Sequence, residues 1–109
     1  MPEVWYEVVF KDGKRAVKAR ALLNSGSSFV VLPSKLAQKL ELKPAGKAEI
    51  ELADGKVLER EVYEIEVEMK NEQTGERRSA KSLATVEERD YPLLGTEAME
   101  KTPNYAGHS

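Results

Sequence analysis

Five small polar residues in a row, Asn24-Ser25-Gly26-Ser27-Ser28, separate the apolar run Ala21-Leu22-Leu23 from a second one, Phe29-Val30-Val31-Leu32. Hydroxyls and an amide placed there can donate and accept hydrogen bonds where one strand ends and the next begins. The amide of Asn24 has no ionisable proton near neutral pH and cannot act as a general base. An Asn-Ser-Gly triplet alone is an ordinary turn, since all three are turn formers. More than a triplet is specified here: the apolar strand before it, two further serines, the apolar run and then Pro33-Ser34. Other chemistries have little to stand on. The chain has no Cys, which excludes disulfides and thiolate zinc sites, and its only His is His108, near the C-terminal end. Glu64, Glu66 and Glu68 read as a solvated strand face, because ligands for Ca²⁺ or Mg²⁺ normally converge from loops. No metal and no cofactor is implied.

The elements that must position this loop follow from turn residues and alternation. Glu3 to Phe10 reads as a strand with Val4, Tyr6, Val8 and Phe10 on one face, and Asp12-Gly13 is a favoured hairpin pair. Arg15 to Leu23 is the return strand, with Val17, Ala19, Ala21 and Leu23 on one face, running straight into Asn24. Phe29 to Leu32 is a short strand buried on both sides. Pro33-Ser34 opens a helix with Ser34 as N-cap and Leu36, Ala37 and Leu40 at helical spacing, ending near Leu42 before Pro44. Ala48 to Leu52 and Val57 to Lys70 flank a hairpin tip, Ala53-Asp54-Gly55-Lys56. In the long strand Tyr63, Ile65, Val67 and Met69 alternate with the glutamates, one face on the core and one in water. After a turn at 71–76, Arg77 to Val86 is a strand. Tyr91-Pro92-Leu93-Leu94-Gly95 then leads into a short helix, Thr96 to Lys101. Trp5 is expected to be a packing residue. The fold class is mostly β, a closed barrel with one or two short helices.

The bulk numbers bound the partners. With 109 residues, one domain with a single modest core is expected over 1–101, with a flexible tail at 102–109. Basic and acidic residues number 17 and 19 and are interspersed, so nothing marks a nucleic-acid surface. No apolar run reaches membrane-spanning length and the N-terminus lacks a signal-peptide layout. The absence of Cys fits a reducing cytoplasm.

Three features in order resemble the retropepsin-like, single-lobe aspartic proteases over roughly residues 3 to 101. They are the Asn24–Ser28 loop between its apolar strands, the hairpin around Asp54-Gly55 where that family places its flap, and Leu93-Leu94-Gly95 before a helix. In the family the position of Asn24 is the catalytic Asp. The resemblance implies that two such loops meet, and a chain this short supplies the second only as a homodimer with the site on its two-fold axis. It implies that Gly26 allows the tight turn, that Ser25 bonds across the dimer, and that Ser27 bonds the outer oxygen of the catalytic side chain. Leu93 and Leu94 pack beneath the loop. Val30, Val31 and Leu32 form pocket walls or core. An extended peptide or unfolded protein is the implied substrate, with Ser27, Ser28, Val31, Asp54 and Gly55 as its binding set. Trp5 then falls near the dimer base.

Asn24 keeps the size of Asp but lacks the carboxyl that the water-activating pair requires. The chain therefore reads as an aspartic endopeptidase in an inactive Asp-to-Asn form. The other function class is a binding module of the same fold, a natural pseudoprotease that holds a peptide uncut. Retention of the serines and Gly26 around Asn24 favours an introduced replacement.

Overall fold

The computed structural model describes residues 3–24, 26–51 and 54–95. Seven strands and a single helical turn follow in order: β1 (Trp5–Lys11), β2 (Ala16–Leu23), β3 (Val30–Pro33), α1 (Ser34–Ala37), β4 (Lys43–Glu51), β5 (Val57–Asn71), β6 (Arg77–Glu87) and β7 (Leu93–Leu94). They make one sheet in the order β1-β2-β7-β3-β6-β5-β4, and β1 also pairs with β5. Six strands thus close into a ring and β4 lies outside it. One edge of β5 serves two partners in succession, β4 over Val57–Glu64 and β1 over Glu66–Asn71. β6 joins β5 only from Tyr63 onward, so the outer part of the β4–β5 hairpin extends past the ring.

Alternation puts the core inside the ring. Tyr6, Val8 and Phe10 of β1, Ala21 of β2, Val30 and Leu32 of β3, Ile65, Val67 and Met69 of β5, and Leu94 of β7 form one buried cluster. Phe10, Leu32 and Leu94 are fully buried, and each large apolar side chain so placed contributes about 1.5–3 kcal/mol. The glutamates between the β5 core residues are exposed, and Glu68 pairs with Lys11 across to β1.

Several expectations need correction. The helix stops at Ala37 rather than near Leu42, and the chain then turns so that Leu40 is buried without helix. Ser34 is not its N-cap: Pro33 holds that position without a side-chain cap, and the Ser34 hydroxyl donates instead to Glu88 Oε1 at 2.8 Å. A carboxylate, the stronger acceptor, has taken the hydroxyl that would have capped. β4 begins at Lys43, five residues early, and runs through Pro44 with a bulge between Pro44 and Gly46. Pro is tolerated there because β4 is an edge strand and Gly46, with φ of 117°, absorbs the irregularity. Val62 is buried although its parity matches the exposed glutamates. The expected helix from Thr96 to Lys101, the tail beyond it, and Leu52 and Ala53 lie outside the described residues.

Asp12 does more than turn a hairpin. Its Oδ1 accepts from Lys14 and Arg15 backbone N–H groups, both at 2.7 Å, and its Oδ2 accepts from the Glu41 backbone N–H, tying the β1–β2 turn to the segment that enters β4. Three N–H donors stabilise the ionised form, so its pKa falls from 3.8 to about 2. A carboxyl with a depressed folded-state pKa contributes stability above its unfolded value, lost as pH falls towards the folded one. Asp12→Asn, with one acceptor oxygen for three donors, is expected to unfold at lower temperature than the parent at pH 5. The difference should shrink between about pH 4 and pH 2, where the parent loses the same charge. Midpoints that run parallel across that window would refute the clamp.

Candidate active site

The loop after β2 is positioned by backbone hydrogen bonds. Leu22 N–H donates to Pro92 O at 3.1 Å and Asn24 N–H to Leu94 O at 2.9 Å, so β7 holds the end of β2 and the first loop residue. β7 also pairs with β3 at Val31↔Leu93, which brings both flanks of the loop onto one short strand. Within the loop, Asn24 Oδ1 accepts from Gly26 N–H at 3.1 Å and Asn24 O accepts from Ser27 N–H at 3.2 Å. The Ser27 hydroxyl donates to Phe29 O at 2.9 Å, rather than its proton going to the Asn24 side chain. Ser28 is exposed. Ser25 lies outside the described residues.

Gly95 is the tightest point beneath this loop. A Cβ there would lie 2.6 Å from Phe29 O, 2.7 Å from Ser27 O and 2.7 Å from Ser28 C, all backbone. The same test at Gly26 meets only Asn24 Oδ1, at an ordinary 3.4 Å. Within one chain the steric demand for glycine therefore falls on Gly95. Leu94 packs in the core cluster, as a residue beneath the loop should, but Leu93 does not.

Leu93 belongs to a second buried set on the opposite face. Directly paired residues share a face of a sheet, and the register runs Trp5↔Leu22, Leu22↔Leu93, Leu93↔Val31 and Val31↔Thr85. Val31, Thr85 and Leu93 are buried yet outside the core cluster. This row crosses β1, β2, β7, β3 and β6 and passes Leu22, two residues before Asn24. The sequence reading named Val31 as a pocket wall; it missed Leu22 and Thr85 and placed Leu93 with the core. Adjacent apolar pairs such as Leu93-Leu94 must split between two faces, which is the signal that was there to be used.

Asp54 and Gly55 form the exposed tip of the β4–β5 hairpin, with Asp54 Oδ1 accepting from Lys56 N–H at 3.0 Å and Gly55 at φ 86°. Val57 and Leu58 just behind the tip are exposed at 55% and 39%, an unusual position for large apolar residues unless something else covers them. Among the described residues no group of three or more His, Cys, Asp or Glu is placed to hold a metal, and no helix is long and apolar enough to cross a membrane.

The profile of the aspartyl protease family matches residues 7–98. No significant match is found among curated proteins. Among solved structures the chain is similar to the protease of simian foamy virus (mac), in solution, with 19% identity over 92% of this chain and 93% of that one and a TM-score of 0.53. It is also similar to EIAV protease complexed with the inhibitor HBY-793, at 13% identity, covering 92% and 86% of the two chains with a TM-score of 0.45. At these identities the likeness to the foamy-virus protease is one of fold. The profile match spans the loop at Asn24, the β4–β5 hairpin and β7 together, and the chain belongs to the aspartyl protease family, in its retropepsin-like, single-lobed form.

Proposed function

We propose that this chain is one half of a two-fold aspartic endopeptidase site, held here in an inactive Asn24 form. The observation that carries the reading is the setting of Asn24. Its backbone is bonded to Leu94 O, its side-chain oxygen receives Gly26 N–H, and it stands beside the apolar row through Leu22, Leu93 and Val31. A carboxylate in place of the amide would accept the same Gly26 N–H and leave its second oxygen for a water. With the corresponding loop of a second copy, one carboxylate takes a proton from that water while the other, protonated, polarises the scissile carbonyl. The substrate is an extended peptide lying on the apolar row. The hairpin ending in Asp54-Gly55 acts as the flap, its exposed Val57 and Leu58 giving it apolar surface to lay on that peptide. Ser25 is assigned the bond across the dimer, and Ser27 and Ser28 the peptide side of the loop.

The chain is expected to sediment as a dimer, at twice its 12.2 kDa. A one-chain mass at high concentration would remove the site, since one loop cannot supply both carboxyls. The second reading, a module that binds peptides without cutting them, is favoured by Asn24 itself. The substitution Asn24→Asp divides the two: a variant that cuts no unfolded protein or peptide library at acid or neutral pH sinks the enzyme reading and leaves the binding one.

A further inference from the structure

The apolar row ends on β1 in a corner built differently from the rest. The rings of Trp5 and Tyr91 sit 5.2 Å apart, tilted at 59°. The Arg20 guanidinium lies 4.2 Å from the Trp5 ring, and that of Arg89 lies 5.1 Å from the Tyr91 ring. Trp5 shares a face with Leu22 through direct pairing, Arg20 shares it by strand alternation, and Tyr91 is two residues before Leu93. The corner therefore adjoins the groove and is close to Asn24 along β2. Both rings are half-buried and held by a neighbouring guanidinium, which makes a stiff apolar wall rather than a mobile one.

The two arginines are not equivalent. Arg20 gives Nε and Nη2 to Glu72 at 2.8 and 2.9 Å, a bidentate pair that neutralises it. Glu3 adds a second carboxylate at that end, accepting from Trp5 Nε1 at 3.3 Å. Arg89 spends its Nε on Tyr91 O at 2.7 Å, and its nearest carboxylate, Glu87, stands 3.9 Å from Nη1. That separation is too long for a hydrogen bond. The Arg20 end is thus acidic or neutral and the Arg89 end cationic, with hydrogen-bonding capacity to spare. Alternate side chains of an extended peptide fall on one face about 6.5–7 Å apart, a spacing that matches neighbouring positions along this wall.

We propose that the Trp5–Tyr91 corner is a side-chain pocket that takes an aromatic residue of the peptide, with Arg89 reading an acidic residue two positions away on the same face. The proposal rests on the peptide-groove reading above. The test uses the Asn24 protein, which binds without cutting, and its single tryptophan, Trp5, as reporter. Peptides containing Phe-Ala-Glu or Glu-Ala-Phe are compared with otherwise identical ones carrying Lys for Glu, by tryptophan emission and by calorimetry. One acidic order is expected to change Trp5 emission and to bind about fivefold tighter than its Lys counterpart, the size of a partly exposed ion pair. Arg89→Gln should erase the preference and Arg89→Glu invert it, while Lys81→Gln on β6 leaves it unchanged. Circular dichroism confirms that each variant is folded. Calorimetric binding with silent Trp5 emission, or a preference that survives Arg89→Glu in a folded protein, overturns the pocket alone. If no peptide binds and Asn24→Asp cuts nothing, the groove reading falls and takes the pocket with it.

Discussion

Replacing Asn24 with aspartate is expected to turn a silent protein into an acid-favoured endopeptidase, with cleavage rising by at least about 10³-fold over the parent, in the range that a positioned general acid–base contributes. The expectation follows from how little else has to change. Asn and Asp are nearly isosteric, so the 2.9 Å bond from Asn24 N–H to Leu94 O and the 3.1 Å bond from Gly26 N–H to the side-chain oxygen should both survive. Gly26 N–H would then stabilise a carboxylate and favour its ionised form. Across the dimer axis the two carboxyls repel when both are charged, so they should share one proton and titrate as a pair. The rate should follow a bell in pH: too acid and both are protonated, too alkaline and both are stripped. A peptide mimic with a central hydroxyl should inhibit the variant strongly and bind the Asn24 parent less well, because that hydroxyl is read by the shared proton. The measurement is cleavage of an unfolded protein across pH, with and without the mimic. A rate that climbs steadily into alkaline pH, or one abolished by a metal chelator, would mean a different mechanism.

Gly95→Ala is expected to be the most damaging single methyl group in the chain. The added Cβ meets three backbone atoms of residues 27 to 29 between 2.6 and 2.7 Å. Backbone cannot rotate away as a side-chain tip can, so either β7 or the loop must move. Overpacking of this kind costs about 3 kcal/mol or more. For a domain of this size that corresponds to a fall of roughly 10–20 °C in melting temperature. Moving β7 also releases the Leu94 carbonyl from Asn24 N–H, so the same change made in the Asn24→Asp background should abolish cleavage even where the domain stays folded. Gly26→Ala is the control, since its Cβ meets only one side-chain oxygen at 3.4 Å and should cost the fold little. Equal melting temperatures for the two alanine variants would show that the loop does not rest on Gly95.

Period-2 alternation in β1, β2 and β5 was enough to place the core inside a closed sheet, because the side-chain period of a strand assigns each residue to one of two faces without knowledge of its neighbours. The loop at Asn24 was legible for a similar reason: its polar run is bounded by apolar strands whose ends the turn residues mark. The Asp54-Gly55 tip was equally local. Other features needed the tertiary structure. The early start of β4 at Lys43 depends on a bulge and on β4 being an edge strand, and the short α1 on Glu88, 54 residues from Ser34, competing for its hydroxyl. Strand period says which residues share a face within one strand but not which strands are neighbours. The row Trp5–Leu22–Leu93–Val31–Thr85 became visible only once β7 was seen to pair with both β2 and β3. Gly95 was readable as a turn residue, but its tight fit under residues 27 to 29 comes from two segments far apart in the chain meeting backbone to backbone. Local patterns thus determined the faces and the turns, while contacts distant in sequence decided which faces meet and where no side chain fits.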